Sequence, residues 1–150
     1  MIRKAMLKDV VSIKDIINGY AKEELMLPRS VGELYECIRN FYVYEKEGEV
    51  IGCCALQVVW DELAEVMSFA VRADHTGKGI GTRLLLACLE DGHKLGVKRF
   101  FTLTYATDFF ETNGFMRVDK SELPHKIWSG CIKCPKFPDC DEVALIRDFD

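Results

Sequence analysis

Gly77, Gly79 and Gly81 alternate with Lys78 and Ile80 in the stretch RADHTGKGIGTRLL, residues 72–85, a spacing suited to holding phosphate. Glycine lets the backbone approach a ligand closely and turn its amides toward one point. The leucine-rich run that follows predicts a helix. Its first N–H groups, around Ile80 to Thr82, and its positive dipole end attract an anion. Lys78 adds charge. Two common phosphate loops do not fit. A P-loop needs Ser or Thr after the lysine to bind magnesium, and Gly79 stands there. A dinucleotide fingerprint needs a third glycine where the sequence has Thr82 or Leu84. The pattern predicts a pyrophosphate cradle that works without magnesium.

Glu65 is a second chemical candidate. Strict alternation along its strand puts it on one face with Leu63, Met67, Phe69 and Val71. A carboxylate on so apolar a face is costly unless it has a partner or a reaction to serve. The alternative is an edge glutamate that points to solvent or pairs with a cation. Cys131, Cys134 and Cys140 form a third group. One CxxC knuckle falls short of the four ligands of structural zinc unless His125 or Asp139 completes the set. Three reduced thiols packed in a loop beside Pro135 and Pro138 are the simpler expectation, so no metal is assigned.

These residues need a scaffold. Residues 2–4 predict a first strand. Asp9 predicts the cap of a helix whose apolar positions Val10, Ile13, Ile16, Ile17 and Tyr20 fall at helical spacing. Ser30-Val31-Gly32-Glu33 reads as a capping box opening a second helix. Strands over residues 41–44, 50–59 and 63–72 predict an antiparallel meander. The helix after the glycine loop runs from Ile80 and ends near Gly92 or Gly96. Residues 99–104 follow as a strand, and 107–113 as a short helix stopped by Gly114. Strands over 115–118 and 143–146 complete the sheet. The expected class is α/β, with a mixed, mostly antiparallel central sheet flanked by helices.

Length and composition set the outer limits. The 150 residues suit one domain, with 49% hydrophobic and 29% charged residues and a formal net charge of −4. Such a charge provides no basic field for nucleic acid or an anionic membrane. The N-terminus lacks the apolar core of a signal peptide, and no apolar run is long enough to span a membrane. Seven cysteines, an odd number, with Cys37, Cys53, Cys54 and Cys88 in apolar segments, fit a reducing compartment. The cytoplasm is the expected location.

The glycine loop resembles motif A of the GNAT N-acetyltransferases, with Gly79 and Gly81 matching the family's glycines and Thr76 standing where Arg or Gln is usual. DFFETNGF, residues 108–115, is similar to the family's Phe-Tyr-Glu-x-x-Gly-Phe segment, with Phe110 in place of the tyrosine. The resemblance spans a core over residues 2–119 of a domain covering 1–150, followed by a hairpin and cysteine-containing tail over 120–150. It implies acetyl-CoA as co-substrate, held by Ala70, Val71, Thr76, Gly77, Lys78, Gly79, Ile80, Gly81, Thr82 and Phe110. A backbone amide near Val71 is implied to steady the thioester oxygen.

Acetyl transfer to an amine needs a base, because an amine of pKa about 8 is about nine-tenths protonated at pH 7. The resemblance assigns that role to Glu65. Phe110 cannot donate a proton to the leaving thiolate, so Tyr105 and then Thr104 are the available hydroxyls. LPRSVGELYECIRNFYVYE and the tail are further similar to stand-alone bacterial N-acetylglutamate synthases. That similarity implies a small amino acid, glutamate, as acceptor and gives Arg29 one of its carboxylates. A second basic contact would come from Lys126, Lys133 or Lys136. The chain carries no amino-acid-kinase domain, so arginine feedback seated there is not expected in the same form. A homodimer is compatible with this reading. Two other readings stay open: transfer to a polyamine, aminoglycoside or protein N-terminus, with Glu23, Glu24, Glu33 and Glu36 as acids for a polyamine, and a non-catalytic module that senses acyl-CoA.

Overall fold

A computed structural model describes residues 1–26, 28–123 and 142–149. The tail cysteines Cys131, Cys134 and Cys140, with His125, Asp139 and the three tail lysines, lie outside the described residues. Among the described residues seven strands form one sheet: β1 (Ile2–Lys4), β2 (Phe41–Lys46), β3 (Glu49–Trp60), β4 (Leu63–Val71), β5 (Arg99–Thr104), β6 (Met116–Val118) and β7 (Val143–Asp148). Their order is β1-β2-β3-β4-β5-β7-β6, and only β4 and β5 run parallel. The expected meander is β2-β3-β4. β7 slots between β5 and β6 and buries Ala144 and Leu145, so the sheet draws on residues beyond 119.

Four α-helices among the described residues cover it: α1 (Val10–Ala21), α2 (Val31–Glu36), α3 (Ile80–Leu95) and α4 (Thr107–Thr112). Val10, Ile13, Ile16 and Ile17 of α1 and Leu34 of α2 pack with Phe41, Val43, Cys53 and Ala70 on one face. Ile80, Leu84, Leu85, Cys88 and Leu89 of α3 fill the other face with Ile51, Leu56, Val66, Phe100 and Phe110. Among the described residues no helix is long and apolar enough to cross a membrane.

Two helix boundaries differ from expectation. Asp9 precedes α1 but does not cap it with its side chain. Its carboxylate instead accepts Met6 N–H and a two-pronged bond from Arg3, at 2.7 and 3.0 Å. The arginine bond, followed by the Met6 bond, holds it below the usual carboxylate range against the effect of burial. α3 passes Gly92 and ends at Gly96, whose φ of 114° closes the helix in the left-handed region.

Gly92 has a different task. A Cβ there would lie 2.6 Å from Phe100 Cε2 and 2.8 Å from Leu56 Cδ2, so its absence lets α3 sit directly on the sheet. Gly92→Ala is expected to lower unfolding free energy by about 1–3 kcal/mol. Chemical denaturation reads that loss, and the KM values of the folded fraction should not change.

Candidate active site

β4 brings Glu65 and Val71 to the site, and its alternation breaks in the middle. Cys53 of β3 faces Ala70, yet Ala55 faces Met67, so β4 holds one extra residue between them. Ser68 takes the strain, with φ at 50°, and the strand bulges. The face expected for Glu65 is therefore corrected. Leu63, Glu65 and Met67 share the α1–α2 face, whereas Phe69 and Val71 turn to the α3 face with Ala64 and Val66.

β4 pairs with β5 only from Leu63 to Glu65. Beyond that the two strands part. Thr102 Oγ1 donates to the Val66 carbonyl at 2.9 Å where the gap begins. Arg72 N–H donates to the Ile51 carbonyl, so alternation aims the N–H and C=O of Val71 away from β3, toward the gap. The Tyr20 hydroxyl from α1 donates to that C=O. The N–H is left facing the opening.

A cleft of about 590 Å³ occupies this gap. Ala70, Val71, Thr76, Gly77, Gly79, Ile80, Gly81, Thr82, Thr104 and Tyr105 line it, and no carboxylate does so among the described residues. Gly77 and Gly79 have φ of 80° and 78°, which suits glycine and disfavours any other residue. The first helical bond of α3 runs from Arg83 N–H to the Gly79 carbonyl. The amides of Ile80, Gly81 and Thr82 therefore have no partner within the helix. Free amides, a helix dipole and the lack of acids fit a diphosphate.

Two assigned residues lie elsewhere. Lys78 is exposed and does not line the cleft. Phe110 is 2% exposed and sits in the core against Phe69, Phe109 and Phe115. Its neighbour Phe109 lines the cleft instead, together with Phe69, Tyr20, Met26 and His75. The rings of Phe69 and Phe109 meet at 5.0 Å between centroids and close over Gly81, where a Cβ would approach them at 3.2 and 3.3 Å.

Glu65 stands just outside the cleft, opposite Gln57 on β3 and Phe101 on β5. Burial pushes its carboxyl up to about 7, the charge of Glu142 adds to the rise, and Arg29 opposes it. Arg29 reaches the same strand from the loop before α2. Its Nη1 donates to Ser68 Oγ at 2.8 Å and its Nη2 to Cys37 Sγ at 3.2 Å. Nε lies 3.3 Å from Glu33 Oε2 but makes no hydrogen bond, although it is buried. Ser30 Oγ caps α2 by accepting the Glu33 N–H, one half of the expected capping box, while the Glu33 carboxylate turns to Arg29 instead. Thr104 Oγ1 accepts Ala106 N–H at 2.9 Å, which leaves its proton to donate.

The sequence profile of the Acetyltransferase (GNAT) family matches residues 11–115. The chain belongs to the GNAT acetyltransferase family. An uncharacterized N-acetyltransferase of Chlorobaculum tepidum is 40% identical to it over 97% of this chain and 94% of its own length. An amino-acid acetyltransferase of Mycobacterium tuberculosis is 33% identical over 85% of this chain and 75% of its own. Among solved structures, one from M. tuberculosis in complex with CoA overlays with a TM-score of 0.86 at 27% identity, covering 100% of this chain and 99% of that one. The N-acetylglutamate synthase of Neisseria gonorrhoeae, complexed with coenzyme A and N-acetyl-glutamate, overlays at 0.91 with 26% identity. All of this chain matches 35% of that larger enzyme. This GNAT protein is an acetyl-CoA-dependent N-acetyltransferase.

Proposed function

We propose that this GNAT enzyme acetylates the α-amino group of L-glutamate, giving N-acetylglutamate. Arg29 carries the reading. Its buried Nε–H makes no hydrogen bond even with Glu33 Oε2 at 3.3 Å, so a better-aligned carboxylate would gain a bond there, and the guanidinium is close enough to act on Glu65. A carboxylate held by Arg29 would put the α-amine between Glu65 and the cleft. Glu33, one of the acids a polyamine would need, is instead turned toward Arg29.

In this mechanism the diphosphate of acetyl-CoA rests on the amides of Ile80, Gly81 and Thr82, and the pantetheine arm runs into the gap between β4 and β5. Val71 N–H stabilises the thioester oxygen as it gains charge. Glu65 takes a proton from the ammonium group, directly or through water. The neutral nitrogen attacks the thioester carbonyl carbon, a C–N bond forms and the C–S bond breaks. The thiolate leaves with a proton from Tyr105 or Thr104, both of which line the cleft, and the second amine proton, shed as the amide forms, restores that hydroxyl. A carboxyl near 7 is well matched to this work at neutral pH.

Purified protein incubated with acetyl-CoA and a panel of amino acids and amines tests the reading, with free thiol as the signal. Glutamate should release thiol well above its amides and above any diamine. A diamine turned over as fast as glutamate would sink it.

A further inference from the structure

Ser68 sits in a backbone conformation that suits glycine or asparagine. Its φ of 50° lies inside a strand, whereas the other non-glycine residues with positive φ among the described residues, Glu24, Glu47 and Glu62, fall in turns. Glycine would hold the bulge with less strain, so serine must contribute something that glycine lacks. Its hydroxyl accepts Arg29 Nη1 at 2.8 Å. Arg29's other side-chain contacts, the thiol of Cys37 and the carboxylate of Glu33, both come from α2 or the residue just after it. Among the described residues, Ser68 alone ties the guanidinium to the strand that carries Glu65.

We infer that the Ser68 hydroxyl is a positioning group for the acceptor substrate. It fixes Arg29 on β4, three residues from Glu65, and so holds the guanidinium ready for the acceptor's carboxylate. The inference rests on Arg29 binding the acceptor's carboxylate. One residue then serves both substrates: its backbone turns Phe69 and Val71 to the acetyl-CoA cleft, and its side chain holds the arginine on the opposite face.

Two substitutions separate these roles. Ser68→Gly keeps the left-handed backbone and removes the hydroxyl. Ser68→Asn keeps the backbone, since asparagine tolerates that region, and supplies an amide oxygen as acceptor. Ser68→Gly should raise the KM for glutamate about tenfold, with the KM for acetyl-CoA unchanged and kcat within about twofold. Ser68→Asn should restore the KM for glutamate to within about twofold of the parent. In Arg29→Ala, adding Ser68→Gly should change nothing further. If Arg29→Ala raises the KM for glutamate and Ser68→Gly does not, Ser68 is not a positioning group. If Ser68→Gly raises both KM values and asparagine fails to rescue, the bulge rather than the hydroxyl is at work and the inference falls. If Arg29→Ala itself leaves the KM for glutamate unchanged, the underlying carboxylate reading is at fault.

Discussion

Glu65→Gln should lower kcat with glutamate about 100-fold while the enzyme binds acetyl-CoA as before, a drop in the range that general-base removal produces. Glutamine keeps the shape and polarity of the side chain, so packing on β4 is preserved and only proton transfer is lost. In the parent enzyme kcat/KM should climb as pH rises through about 7, where Glu65 loses its proton. It should not climb further as the substrate amine loses its own, because Glu65 already accepts that proton. The variant, with no base, should lose the rise near 7 and climb only as the free amine appears. Thiol release across pH 5 to 9 separates the two profiles. A variant with unchanged turnover removes Glu65 from the mechanism.

The same carboxyl makes a stability prediction of opposite sign. Its ordinary value is 4.5 and burial raises it to about 7 in the folded protein. Between those values the folded state holds a proton that the unfolded chain has released. The associated stability is fully present below 4.5 and is lost as pH rises through 7. Glutamine cannot ionise in the interior. Glu65→Gln should therefore gain thermal stability relative to the parent above pH 7 and show little difference below 4.5. Lower activity with higher alkaline stability is a result that general misfolding would not give.

Local chemistry was legible in the sequence wherever one stretch of chain specifies it. The glycine loop is such a case, because alternating glycines before an apolar helical stripe determine both the left-handed residues and the free amides. The bulge at Ser68 is the opposite case. No glycine or asparagine marks it, and the apolar residues alternate straight through, so period-two reasoning set Phe69 and Val71 beside Glu65. The extra residue shows only in pairing with β3, a contact distant in sequence. The two phenylalanines of α4 illustrate a further limit. Motif position drew attention to Phe110, but helix orientation decides which ring meets a ligand, and packing against Phe69 and Phe115 turns Phe110 inward and leaves Phe109 at the cleft. Arg29 was visible as a residue suited to a carboxylate. Its anchors, Ser68 and Cys37, lie 39 and 8 residues away, and nothing in the local pattern links them.

Arg29→Ala should raise the KM for glutamate about 100-fold and leave the KM for acetyl-CoA within about twofold. Bonds between charged partners in a partly buried site contribute about 1.5–3 kcal/mol each, and a two-pronged arginine–carboxylate contact can use two. The upper sum would exceed this effect, but the site already spends part of it in holding the guanidinium between Ser68, Cys37 and Glu33 rather than in water. Alanine also removes the positive charge that opposes the rise at Glu65. The pH at which the rate climbs should then move upward, a shift that kcat/KM for a substrate not reliant on the arginine would report. Lysine at position 29 separates charge from geometry. It should return the pH dependence toward that of the parent, but recover little of the affinity, because a single ammonium cannot take a carboxylate with two parallel bonds. Equal increases in both KM values for Arg29→Ala would instead indicate that the arginine serves only to pack α2 against β4.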